Sequence, residues 1–359
     1  MFVGLVLQFP SLHQMFTYES SKRCFKNLLR GRIPKTDAVV EVLAQLDVQE
    51  LTAIHDSIVR KIRTNKTFRE GTINKLVVVA IDGVELFSSQ HKSCKNCLTR
   101  QLANGTTEYF HRSVVCASVG SHPHVILGQE MLFPRDSSQK DEGELTGAKR
   151  LIERLYKAHH HFADVVVADA LYLNEPFIAT LQKYHIHFVI RMKDERRLIF
   201  QDAYGLFRHI PCTHHYQDGK TDVRIWDAAH FELGEHPQNI RVLKVEERMP
   251  NGEVKTMWLA SDLLSEDAQT LRTIMHKRWD IELNAFHQLK TYYHVDHCFC
   301  HHAVEAMFLL NIFAFNMREM FIYRRCSSMK KHTMALRDIT LCMFQSLTTD
   351  DLRHCFDSS

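Results

Sequence analysis

The sequence predicts an α/β protein: a mixed sheet flanked by helices, interrupted by a β-rich insertion and preceded by a small helical N-terminal region. Three observations lead there. Two almost wholly aliphatic runs, at 76–81 and 164–168, have the character of strands buried on both faces. Apolar residues recur at helical spacing around 39–62, 143–159 and 265–289. Between about 194 and 262 that period gives way to short alternating segments separated by turn signals, Gln217-Asp218-Gly219, Gly234 and Pro250-Asn251-Gly252.

Taken in order, Asp37 precedes Val39, Val42, Leu43 and Leu46 as an N-cap would. Asp47 and Glu50 form a capping box for a second helix carrying Leu51, Ile54, Ile58 and Ile62. Lys22, Arg23, Lys26, Arg30, Arg32 and Lys35 make the preceding stretch basic, either a solvated face or a DNA contact. The strand at 76–81 stops at Asp82-Gly83. Strands at 111–119 and 124–133 follow, then a helix over 143–159 and a strand over 164–168 ending at Asp169. A short helix (176–184) and a strand (187–192) complete the series. The insertion contributes strands at 223–226, 241–245 and 254–260. Ser265 then caps a long helix through Ile274, Ile281, Phe286 and Leu289, and a helix over 304–321 closes the domain. The expected divisions are a helical N-terminal region (1–70), a core in two parts (71–193 and 264–325) around the insertion (194–263), and a C-terminal tail (326–359).

A chain of 359 residues has room for one large α/β domain with an insertion, or for two modest domains. Its formal net charge of +3 permits an acidic polymer as partner without requiring one. No stretch reaches the roughly 20 apolar residues that span a bilayer, and the apolar start MFVGLVLQFP lacks the features of a secretion signal. Ten scattered cysteines point to reduced thiols or metal ligands, hence to a cytoplasmic protein.

Chemistry in an open α/β sheet gathers at strand ends, where side chains leave the core. Asp82 and Asp169 both end apolar strands, and two such carboxylates can share a hard divalent ion. A third carboxylate from a helix would let two ions sit about 3.5–4 Å apart, the arrangement for in-line phosphoryl displacement. Glu282 offers it, one turn after Arg278. Each aspartate alone reads more readily as a strand-end turn or helix-cap residue. It is their order together with Glu282 that carries weight.

The blocks A-I-D-G (80–83), V-A-D-A-x-Y (167–172) and R-W-D-I-E-x-x-x-F-x-x-L-K (278–290) resemble those of DDE-type insertion-sequence transposases with a β-rich insertion before the glutamate. The resemblance runs from about residue 30 to 320. It implies an RNase H-like core, with Asp82, Asp169 and Glu282 holding two Mg²⁺ or Mn²⁺ ions. It further implies nicking at element ends followed by strand transfer of the freed 3′-OH. The partners it implies are double-stranded DNA, both terminal inverted repeats and target, engaged by a homodimer. In that family the glutamate block has Tyr, Arg, Glu and Lys at fixed spacing. Arg278 and Glu282 fit, whereas Met275 stands at the Tyr position and Leu289 at the Lys position, with Lys290 one residue late. Arg278 and Lys290 are the expected phosphate contacts. Trp279 is either a base-stacking residue at the DNA end or a core residue.

His91, Cys94, Cys97 and His111 have a spacing that suits tetrahedral zinc, with free thiols in a polar loop as the alternative. The denser cluster His297, Cys298, Cys300, His301 and His302 could bind metal or touch phosphates, but adjacency prevents all five from facing one ion. Two other functions compete with transposition. One is an RNase H-like nuclease without strand transfer, and the other is a non-catalytic DNA-binding descendant.

Overall fold

The computed structural model describes residues 1–17, 22, 25–26, 33–134, 141–234, 236–325 and 338–341. Arg23, Arg30 and Arg32 of the basic stretch, and most of the tail expected at 326–359, lie outside the described residues.

Among the described residues, four helices of the N-terminal region are placed in full: α1 (Phe2–Val6), α2 (Leu12–Thr17), α3 (Thr36–Ala44) and α4 (Val48–Thr64). Asp47 caps α4, accepting from the Gln49 N–H at 2.7 Å, and Glu50 sits in its first turn. The cap expected at Asp37 is displaced. Lys35 holds the N-cap position of α3, and Asp37 lies in the first turn, where its charge still suits the helix N-terminus.

The core begins with β1 (Val78–Ser89), β2 (Leu98–Gln101), β3 (Thr107–Ser118) and β4 (Ile126–Met131). Helix α5 (Glu144–His159), β5 (Val165–Ala168), α6 (Glu175–Lys183) and β6 (His187–Met192) follow. The strands lie side by side as β4-β3-β1-β5-β6, antiparallel on the first side of β1 and parallel beyond it. That order, third-second-first-fourth-fifth when the short β2 is set aside, is RNase H-like.

Strand β1 runs further than its aliphatic segment suggested. It continues past Asp82 to Ser89 because β3 stays paired along that length, while its parallel neighbour β5 stops at Ala168. Asp82 therefore sits where one edge of β1 becomes unpaired, rather than at a strand end.

The insertion is no separate layer. After α7 (Leu198–Phe207), strands β7 (His214–Asp218), β8 (Thr221–Leu233), β9 (His236–Arg248) and β10 (Val254–Ser261) form a meander. Strand β10 pairs antiparallel with β6, so ten described strands make one sheet. Helix α7 and strand β7 were not read from sequence. The helix is there because Ile199, Phe200, Ala203 and Phe207 share one buried face, and Phe200 and Phe207 pack on Trp258 of β10.

The expected long helix is divided. Helix α8 (Ala268–Lys277) is capped by Asp267, not Ser265: its carboxylate accepts from the Thr270 N–H at 2.6 Å. A π-helical segment, Ile281–Phe286, leads into α9 (His287–Tyr293). A short 3₁₀ turn (His301–Ala303) then opens α10 (Val304–Arg325).

Strand alternation assigns the two faces. Val78, Ala80, Val165 and Val167 point to one core with α8, the π segment, α9 and α10. Val79, Ile81, Val166 and Ala168 point to the other with α5, α6 and α7. No described helix is long and apolar enough to cross a membrane.

Candidate active site

The same alternation decides where the carboxylates go. Counting by twos from Val78 and Val165 puts Asp82 and Asp169 on the face that carries the π segment. The register is parallel, Val78 opposite Val165 and Ala80 opposite Val167, so the two aspartates leave the sheet at one level. Asp164 helps set that register: its Oδ2 accepts from the Val77 N–H at 2.6 Å. The π segment delivers Glu282 from above and is itself tied to the sheet, since Asp280 Oδ2 accepts from the Gly120 N–H at 2.9 Å.

Arg278 bridges two of the three acids. Its Nη1 lies 3.3 Å from Asp82 Oδ2 and 3.0 Å from Glu282 Oε1, and its side chain is only 5% exposed. Burial pushes the Asp82 carboxyl up to about 6. The Gly83 N–H and Arg278 oppose that rise, while the charges of Glu144 and Glu282 add to it. Burial likewise works against the charge on Asp169. There it is outweighed by Lys193, whose Nζ lies 2.9 Å from Oδ2, by the nearby Ala170 N–H and by Arg278, leaving the carboxyl below its usual range. Asp169 Oδ1 is buried and makes no hydrogen bond of good geometry. The three carboxylates do not close into one compact cluster, because the guanidinium of Arg278 stands between Asp82 and Glu282.

Two motif residues find their reason beneath the site. A Cβ on Gly83 would stand 2.5 Å from the carboxyl carbon of Glu144, at the start of α5. Glu144 in turn accepts from the Tyr172 hydroxyl at 3.1 Å and pairs with Arg112 at 2.6 Å. Gly83 after the first aspartate and Tyr172 three residues after the second thus meet on one partly buried carboxylate on the far side of the sheet.

Trp279 is 46% exposed, which removes the core reading, and the Arg278 guanidinium lies 4.6 Å from its ring centroid. A cavity of about 280 Å³ opens beside it, where Arg191, Lys255, Arg278 and His276 outweigh the one acid, Glu247, which is itself paired with His276. Lys255 comes from β10, so the insertion supplies one wall. Lys290 is exposed on α9.

Of the proposed zinc ligands, Cys94, Cys97 and His111 converge, but the fourth member is His301. His91 is exposed on the loop and lies outside the group. The residues that sequence reasoning missed are Lys193 and Glu144, while His301 was singled out only as one of a cluster and given no partner. Lys193 directly follows β6 and had a legible signal, a cation at the end of the strand next to Asp169. Glu144 had none, and His301 stood in a cluster of five Cys and His residues with nothing local to single it out.

A model of the transposase DDE domain matches residues 100–317, a span that includes Asp169 and Glu282. Asp82 precedes it and is joined to the site by strand register. No curated protein matches the chain. Among solved structures, the NurA nuclease from Sulfolobus solfataricus aligns at 12% identity over 64% of this chain and 84% of its own, with a TM-score of 0.29. That superposition is too loose to carry an argument. The family match covers more than half of the sequence and contains the segment that brings Glu282 to the sheet, and on that ground the chain belongs to the transposase DDE domain family.

Proposed function

We propose that the protein is a DNA transposase that nicks element ends and transfers the freed 3′-OH into target DNA, with Asp82, Asp169 and Glu282 as its metal-holding carboxylates. The observation that carries this is the parallel register of β1 and β5, which sets two aspartates side by side under a glutamate from the π segment. The donor set fits a hard divalent cation: three carboxylates on one face, with Asp169 Oδ1 buried and lacking a good hydrogen bond. Bound Mg²⁺ or Mn²⁺ would supply activation of the attacking oxygen and stabilisation of the leaving one.

The chain's own residues hold and orient the DNA. Arg278 is preorganised by burial, and its planar fork can grip a phosphate once the carboxylates are neutralised otherwise. Trp279 offers an exposed ring at the mouth of the basic cavity for an unpaired base. The π segment bears on Lys290. Eight residues of α-helix would turn it about 80° from Glu282, but one wide π turn absorbs an extra residue and returns it to within about 20°. The one-residue lateness of Lys290 is thereby offset, which supports a phosphate contact on the glutamate face. Double-stranded DNA with terminal inverted repeats is the substrate this reading requires, held by a homodimer that pairs two ends.

The test is strand transfer of a labelled terminal-repeat oligonucleotide with Mg²⁺ or Mn²⁺. Wild type is expected to nick and join, and Asp82→Asn, Asp169→Asn and Glu282→Gln to do neither while still binding DNA. Equal activity in wild type and Asp169→Asn would sink the assignment, and cleavage without joining would make the protein a nuclease.

A further inference from the structure

Away from the carboxylates, four side chains from three distant parts of the chain point their ligand atoms at one spot. Cys94 and Cys97 lie on the loop between β1 and β2, His111 on β3, and His301 at the start of the 3₁₀ turn before α10. The four ligand atoms all fall within 4.8 Å of one another. Cys94 Sγ is 3.6 Å from Cys97 Sγ and 3.5 Å from His111 Nε2. Cys97 Sγ is 3.3 Å from His111 Nε2 and 3.4 Å from His301 Nε2.

These spacings discriminate between chemistries. A disulfide needs its sulfurs about 2.05 Å apart, far less than is found here. A tetrahedron built on Zn–S of about 2.3 Å and Zn–N of about 2.05 Å has S···S edges of about 3.8 Å and S···N edges of about 3.6 Å. The four distances above lie within about 0.3 Å of those values. Both histidines present Nε2, Cys97 and His111 are buried, and Phe87 packs its ring against both imidazoles. The Cys94 N–H donates to Cys97 Sγ at 3.3 Å, which holds the loop turned so that both sulfurs face the same spot. A cavity of about 220 Å³, bordered by Cys94, His111 and His301, leaves a path for an ion to enter.

We propose that Cys94, Cys97, His111 and His301 bind a structural zinc ion. Four protein ligands close the coordination sphere, so the site is structural rather than catalytic. Its effect is a staple. It joins the β1–β2 loop and β3 to the turn that follows the glutamate-bearing segment, and so fixes the downstream end of that segment against the sheet. This assignment is independent of the strand-transfer reading: the ligands, geometry and readout are separate from the carboxylate site.

The full chain, purified without chelator, is assayed for metal by mass spectrometry and then refilled with cobalt. Wild type is expected to carry about one zinc per chain, released when the thiols are blocked with a mercurial. The cobalt form should show the intense visible bands of tetrahedral coordination together with sulfur-to-cobalt charge transfer, which carboxylate-bound cobalt cannot produce. Cys97→Ser and His301→Ala should each lower zinc content or affinity by roughly tenfold or more, whereas His91→Ala keeps it. Wild type that holds no zinc and gives no sulfur-to-cobalt band overturns the proposal, a result that does not depend on whether the variants fold. Retention of zinc in His301→Ala together with its loss in His91→Ala would also overturn it.

Discussion

The carboxylate of Glu144 occupies the space that a side chain on Gly83 would need: a Cβ there would lie 2.5 Å from its carboxyl carbon. The contact passes through the sheet, with Asp82 on one face and Glu144 under the other. The identity of residue 83 thus bears on a partly buried acid that contributes to the raised Asp82 carboxyl. Gly83→Ala should displace Glu144 from Tyr172 and Arg112 and cost about 2 kcal/mol in urea denaturation. Glu144→Ala removes the obstruction. The double variant should therefore be more stable than the sum of the single losses by about 1 kcal/mol, and strict additivity would mean that the two residues do not interact.

Arg278 stands in for a cation between Asp82 and Glu282. Arg278→Ala strands the largely buried Asp82 beside Glu282. With Glu282 more open to solvent, the expected loss is about 2 kcal/mol in chelator. Magnesium should restore part of it, because a divalent ion held there as proposed would neutralise the same carboxylates. Denaturation midpoints with EDTA and with Mg²⁺ measure this, and a loss that magnesium leaves unchanged would separate Arg278 from the proposed metal site.

Trp279 is exposed next to a basic cavity rather than packed in the core. Trp279→Ala should leave thermal stability nearly unchanged yet weaken binding of a terminal-repeat duplex with an unpaired end by about 1–3 kcal/mol. A fully paired duplex should bind the variant and wild type alike. Equal weakening on both duplexes would assign Trp279 to general DNA contact instead of stacking.

Acid should unfold the protein partly through His55. This ring is buried, stacks on Phe313 and meets Asn316 Nδ2 at 3.2 Å. Burial lowers its pKa from 6.5 to about 4, with Arg154 and His159 adding to the effect and Asp56 opposing it. The unfolded chain therefore takes up the proton first. The stability tied to the neutral ring is fully present above pH 6.5 and is lost as pH falls toward 4. The loss reaches about 2 kcal/mol at pH 5 and about 3 kcal/mol in full. Urea denaturation at pH 7 and pH 5 should show that drop in wild type and a smaller one in His55→Gln. Identical pH dependence would clear His55 of the role.

Much of the fold was legible because its signals are local. The aliphatic runs at 76–81 and 164–168, the helix over 144–159 and the strand over 187–192 are written in the spacing of neighbouring side chains. Helix α7 escaped notice because its buried face is short, four residues over ten, and lies in a segment dominated by turns and strands. The π segment escaped because hydrophobic period does not distinguish a single wide turn from an α-helix.

The sequence by itself determined which carboxylates stand at the ends of buried runs, their order, and the β-rich interruption before Glu282. These follow from local periodicity and from motif order. Tertiary structure decided the rest. It set Asp82 level with Asp169 through the β1–β5 register and placed Glu144 under Gly83. It exchanged His91 for His301 in the Cys/His group, across 204 residues of chain. The physical reason is that sheet register and the packing of helices on it bring together residues whose separation in sequence carries no period. Only the folded chain could say which of the clustered histidines at 297–302 faces Cys97.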